Sequence, residues 1–167
     1  MSMATRLSIR SFLTNREQCI LLLLLLPLMH SLAQTPVRVV TLNELSMGTV
    51  TAGRNLLIRP SDAGAAKFRV ESNRDTTAII RFFLPSQCSS LQGNDQLRVE
   101  FTAEGAAWSV QDAVSGSTMF DPRQPLTLQL QQNRPVYVWV GIMAYPHRFQ
   151  QAGRYATNIT LTIISLR

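Results

Sequence analysis

The 167-residue sequence contains one lysine, two histidines and two cysteines, and each shortage closes off a class of chemistry. Cys19 and His30 lie in an N-terminal stretch that reads as a cleavable leader, so Cys88 and His147 are the only ones expected in the mature chain. A lone cysteine cannot form an intradomain disulfide, and one cysteine with one histidine cannot close a zinc site. Cys88 is expected to be buried, with an intermolecular bridge as the alternative. There is no calcium loop of alternating carboxylates, no phosphate-binding glycine loop and no G-x-S-x-G elbow. A Ser-His-Asp triad would have to form around His147, within Tyr145-Pro146-His147-Arg148-Phe149, which reads as a solvated turn. Glu100 with Glu104, or Asp112 with Asp121, could meet as a glycosidase pair, but nothing in their spacing marks them as one. The expectation is a chain with no catalytic activity, no cofactor and no metal.

Charge excludes a further class. Formal net charge is +6, and removing Arg6, Arg10, Arg16 and Glu17 with the leader lowers it to +4. The arginines are scattered, and no run of like charge forms the basic arm or stripe that binds nucleic acid.

The leader itself occupies residues 1–33. Three arginines make a positive start, residues 20–29 are nearly pure leucine, and Ser31-Leu32-Ala33 places small residues at −3 and −1 of a cleavage site. The apolar run is about half the ~20 residues a spanning helix needs. The mature protein is expected to start at Gln34 as one domain, 34–167, exported to the periplasm, the cell surface or the medium. No second long apolar run follows, so no integral membrane segment is expected after cleavage.

What the mature chain has in abundance is alternation. Phe68 and Val70 alternate with Lys67, Arg69 and Glu71. The same period recurs in Leu97, Val99 and Phe101, in Leu126, Leu128 and Leu130, and from Tyr155 through Ile159, Leu161 and Ile163. Period two marks strands with one dry face and one wet face. Residues 37–42, 49–51, 56–59, 78–84 and the long β-branched and aromatic run 136–144 are further strand candidates. Pro60-Ser61-Asp62, Gly93-Asn94-Asp95, Asn133-Arg134-Pro135 and Gln151-Ala152-Gly153 punctuate them as turns, and Ser86-Gln87-Cys88-Ser89-Ser90 reads as a polar loop. No stretch of ten residues carries a helical repeat. The pattern predicts an all-β, antiparallel two-sheet sandwich of immunoglobulin-like kind.

Three stretches together carry a resemblance: Leu45-Ser46-Met47-Gly48-Thr49-Val50, Val138-Trp139-Val140-Gly141-Ile142-Met143-Ala144, and Gly153-Arg154-Tyr155-Ala156. The chain resembles the bacterial domain of unknown function 4402, and more loosely the spore coat protein U and usher-pilin type of domain. Met47 stands where that family prefers phenylalanine, Ile142 replaces a second glycine, and the cysteine pair of usher pilins is absent. The resemblance implies an exported immunoglobulin-like sandwich in a surface setting, and no activity. Locally, Gly153 is expected to take a positive φ before the last strand, Gly48 to serve a bulge or a close backbone approach, and Tyr155 to bury its ring while its hydroxyl caps a backbone group.

Two features could carry binding. Tyr137 and Trp139 fall on one face of a strand, about 7 Å apart, and form a candidate platform for a glycan or a protein if that face is wet. The N-terminal segment beginning at Thr35 and the strand beginning at Tyr155 could join the domain to itself or to other surface subunits by β-strand addition, the assembly mode of the resembled pilins. The alternative is that 37–42 pairs within its own domain. The sequence therefore leads to a non-enzymatic structural or assembly subunit, pilin-like or coat-like, with a periplasmic or secreted binding module as the second reading.

Overall fold

The computed structural model describes residues 37–166; the leader expected over 1–33 and the mature start at Gln34 lie outside the described residues. The described chain is all-β, with no helix and with strands paired antiparallel throughout. Numbered along the chain, β1 (Val37–Asn43), β3 (Ala66–Ser72), β10 (Val136–Val140), β7 (Ala106–Ser109) and β8 (Thr118–Phe120) form one sheet in that spatial order. A second sheet runs β12 (Tyr155–Ala156), β5 (Gln87–Ser90), β6 (Gln96–Glu100), β11 (Ile142–Tyr145) and β2 (Leu56–Ile58). A third holds β13 (Thr160–Leu166), β4 (Thr76–Phe83) and β9 (Leu126–Leu130).

The second and third sheets share two bent chain segments. β4 pairs with β13, and the continuation of each beyond its bend, β5 and β12, pairs again. Pro85 interrupts the first segment, since it has no N–H to donate and cannot continue a ladder. Every sheet turns its apolar set toward one core, which takes Phe68 and Val70 from β3, Ile80 from β4, Leu97 from β6, Leu128 from β9 and Val138 from β10. The architecture is β-sandwich-like, as the alternation predicts.

Four local expectations are corrected. The run 136–144 is two strands, because the chain leaves the first sheet after Val140 and enters the second at Ile142. Gly141 is the corner. A β-carbon there would run into the Ile58 carbonyl oxygen and the Arg59 backbone, and its N–H donates to the Gly105 carbonyl at 2.7 Å. Residues 49–51 do not form a strand; Val50 makes a single bridge to Gly153. The polar stretch around Cys88 is strand β5, paired with β6 from Gln87 to Ser89. The last alternating run divides into β12 and β13 and extends to Leu166.

The glycine roles also change hands. Gly48 has φ +62° with open space around it, so it is needed for its left-handed backbone and not for close packing. Gly153 is absent from the positive-φ glycines and sits in extended pairing with Val50. Of the three motif glycines, Gly141 is the one that close approach demands.

Replacing Gly141 with alanine is expected to destabilise the domain by at least ~2 kcal/mol, because backbone on β2 must move to admit one methyl. Denaturant unfolding of Gly141→Ala against Gly48→Ala, where the methyl meets no atom, measures the difference between packing and backbone strain.

Candidate functional site

The outer face of the first sheet holds the aromatic pair. Val136, Val138 and Val140 point to the core, which leaves Tyr137 and Trp139 on the other side, with ring centroids 6.2 Å apart and planes inclined by 30°. Register places Lys67 directly beside Trp139. Its ammonium lies 5.5 Å from the Tyr137 ring centre and 5.6 Å from that of Trp139, and it is ion-paired with Asp112 from the loop after β7. The chain's one lysine thus occupies both ring faces by cation–π attraction. Trp139 is 5% exposed and Tyr137 is half-buried. The face carries both aromatics as expected, with the protein's own cation lying over both rings.

A polar cluster that sequence reading did not single out gathers at the end of the second sheet. Asp95, at the turn between β5 and β6, accepts from the backbone N–H of Gln151 at 2.9 Å and from the side-chain amide of buried Gln150 at 2.5 Å. The Tyr155 hydroxyl lies 2.8 Å from the same carboxylate oxygen and 2.7 Å from the Gln151 carbonyl, and it accepts from Gln150 at 2.8 Å. Its one proton serves either acceptor. The expected backbone cap by Tyr155 is therefore present, reaching four residues back. His147 stands at the rim: its Nδ1 accepts from the Phe149 N–H at 3.1 Å, which leaves the proton on Nε2, 3.9 Å from Asp95 Oδ1.

The electrostatics of the cluster follow from its donors. The Gln151 backbone N–H, and next the Tyr155 hydroxyl, hold the Asp95 carboxyl below the usual carboxylate range. Burial, with the neighbouring carboxylate, raises the Tyr155 hydroxyl. Asp95 is thus a fixed anion that ties the 147–155 loop to the β5–β6 turn. Asp95 and Gln150 are 55 residues apart in the chain, and only the generic turn signal Gly93-Asn94-Asp95 marks either one in sequence.

The candidate nucleophile is buried, and three of the four candidate carboxylates are paired elsewhere; the fourth, Glu104, is exposed. Cys88 is buried in the core, where burial pushes its thiol up to about 11, while His147 is exposed on its turn. Glu100 accepts from the Tyr145 hydroxyl at 3.1 Å, Asp112 pairs with Lys67, and Asp121 pairs with Arg123 at 2.9 Å. Among the described residues no three His, Cys, Asp or Glu side chains gather as a metal set, and no helix is long and apolar enough to cross a membrane.

What remains open is backbone. β1 and β13 are seven-residue strands that each pair on one side alone, with β3 and with β4. β1 pairs with β3 along its length, so 37–42 completes its own domain, the alternative weighed against strand donation. Beside these edges a groove of about 730 Å³ opens between the end of β1, the loop after it and residues 154–159. Leu45, Met47, Phe68, Tyr155 and Ile159 form its apolar lining, and Glu44 and Arg154 its charged lining. Two of the motif stretches, 45–50 and 153–156, therefore meet here, joined by the Val50–Gly153 bridge. The third stretch supplies the Gly141 corner.

Two outcomes are expected. Asp95 has a folded-state pKa below its unfolded value, so its contribution is complete above the ordinary carboxylate range and is lost as pH falls through the lowered value. Unfolding midpoints measured below about pH 4 should fall more steeply for the wild type than for Asp95→Asn, and Tyr155→Phe should cost about 1–2 kcal/mol at neutral pH. Trp139→Ala should lose about 3–5 kcal/mol of stability, whereas Lys67→Met, which keeps the stem and removes the cation, should lose about 0.5–2 kcal/mol; chemical denaturation separates the two. No family model matches this sequence, and no curated protein and no solved structure is significantly similar to it.

Proposed function

We propose that this chain is an exported, non-enzymatic structural subunit that associates with other subunits through the edges of its sheets. The observation that carries this reading is the pair of long, singly paired edge strands, β1 and β13, next to a groove lined by two of the three motif stretches. An edge strand presents a row of unpaired N–H and C=O groups, and an arriving strand satisfies them without any specialised side chain. Function of this type needs no nucleophile, metal or cofactor, and is supported by the burial of Cys88 and the pairing of Asp112 with Lys67 and of Asp121 with Arg123. The leader supplies the route to the periplasm, cell surface or medium, where such subunits would meet.

The second reading, a binding module that stacks glycan or protein on Tyr137 and Trp139, draws less support because Lys67 already lies over both rings.

The test is to express the full chain with its leader, fractionate the cells, determine the N-terminus of the exported product and follow its size by light scattering across a concentration series. The expected result is an extracytoplasmic protein beginning at Gln34, recovered in species larger than a monomer, alone or cross-linked to other envelope subunits. Retention in the cytoplasm, or a monomer that cross-links to nothing in the envelope, overturns the proposal.

A further inference from the structure

Resting on the assembly reading, we propose that the partner of β13 is β13 of a second copy, paired antiparallel about a two-fold axis at Ile163. The fold has several sheet edges, and all but one carry a natural guard against pairing. β2, β8 and β12 are two or three residues long. β9 has five residues, is preceded by Pro125, and its far end is tied down by the Gln132 N–H donating to Asp75 at 2.7 Å. β1 carries the cation Arg38, and its register slips between Thr41 and Asn43. Short length, proline, charge and bulges are the devices that keep edges from joining. β13, Thr-Leu-Thr-Ile-Ile-Ser-Leu, has none of them: seven residues, no charge, no proline, no glycine and an unbroken register with β4 from Thr160 to Leu166.

The strand is also complementary to itself. A two-fold axis at Ile163 sets Thr160 opposite Leu166, Leu161 opposite Ser165, and Thr162 opposite Ile164 of the partner subunit. Side chains alternate with period two, so each of these pairs shares a face. On the outer face the pairs bring together threonine with Ile164 and Leu166, which are each 45% exposed in the single chain. On the inner face they extend the cover over Leu161 and Ile163, which pack against the core while staying half-exposed. β-branched and apolar cross-strand pairs of this kind stabilise a sheet. The result is one continuous six-stranded sheet, β9-β4-β13 joined to the same three strands of the second copy, with an isologous interface that closes on itself.

Electrostatics favour the same edge. The chain is basic, so most self-contacts bring like charges together. Among the described residues of β13 and β4, the one cation on this face is Arg81, one strand back and beside Thr162. Across the joined sheet the two copies of β4 stand about 14 Å apart, three strand spacings, which exceeds the ~8 Å screening length at physiological ionic strength.

The test uses charge on outward-facing positions. Thr162→Lys with Ile164→Lys sets lysine opposite lysine twice across the axis, and Thr162→Glu with Ile164→Glu does the same with carboxylates. The exported wild-type chain is expected to double in mass with rising concentration, each double variant to remain a monomer, and an equimolar mixture of the two variants to recover the dimer through Lys–Glu pairs. Recovery in the mixture also shows that both variants are folded. A wild type that stays monomeric, or variants that stay monomeric when mixed, overturns pairing through β13. Wild type and both variants that all assemble alike overturn it too, but leave the broader assembly reading standing on a different edge.

Discussion

The fold depends on a single crossing that leaves no room for a side chain. At Gly141 the chain passes from the sheet of β10 to the sheet of β11 while lying against the backbone of β2, with its own N–H held by Gly105. Both strands flanking the glycine are central: β10 lies between β3 and β7, and β11 between β6 and β2. The angle at which the two sheets meet, and so the space left for the core between them, is set by how closely these backbones approach. A corner made by a strand that switches sheets is a known way to close a sandwich, and here one hydrogen atom in place of a β-carbon makes it available.

Much of the fold was legible in sequence because its strands are mostly wet on one side. β3, β6 and β9 alternate cleanly in burial, as their letters alternate in polarity. The failures have the opposite cause. β7, Ala-Ala-Trp-Ser, is buried on both faces, so no alternation exists to be read. β5 is spelled almost wholly in glutamine and serine, and only Cys88 among its four residues points into the core. The split at Gly141 is invisible to a period-two pattern, because strand letters continue on either side.

The candidate site was legible to a smaller degree, and the reason is distance along the chain. Tyr137 and Trp139 are two residues apart, so a local rule places them on one face. What covers them is Lys67, seventy residues earlier, and its position over the rings follows from the register of β3 against β10. The same holds for Asp95, Gln150 and Tyr155, which meet through tertiary pairing of β5, β6 and β12. The glycines of the motifs were recognised as special, yet which one needs a positive φ and which needs space is a property of the neighbours and not of the letter. Strand edges are harder still, since a strand's sequence does not say on which side it is left alone.

The position of Lys67 has a practical consequence. It is the sole lysine of the chain, and it lies in β3, flanked by β1 and β10 and ion-paired above two rings. A protease that cuts only after lysine therefore has one peptide bond to attack in the whole chain, and that bond is in the interior of a sheet. To reach it, the enzyme needs β3 free of both neighbours, which means the sheet must come apart. A single cut, yielding residues 1–67 and 68–167 from the full chain, is thus a direct reporter of how often the first sheet opens, and its rate counts those openings without any engineered probe.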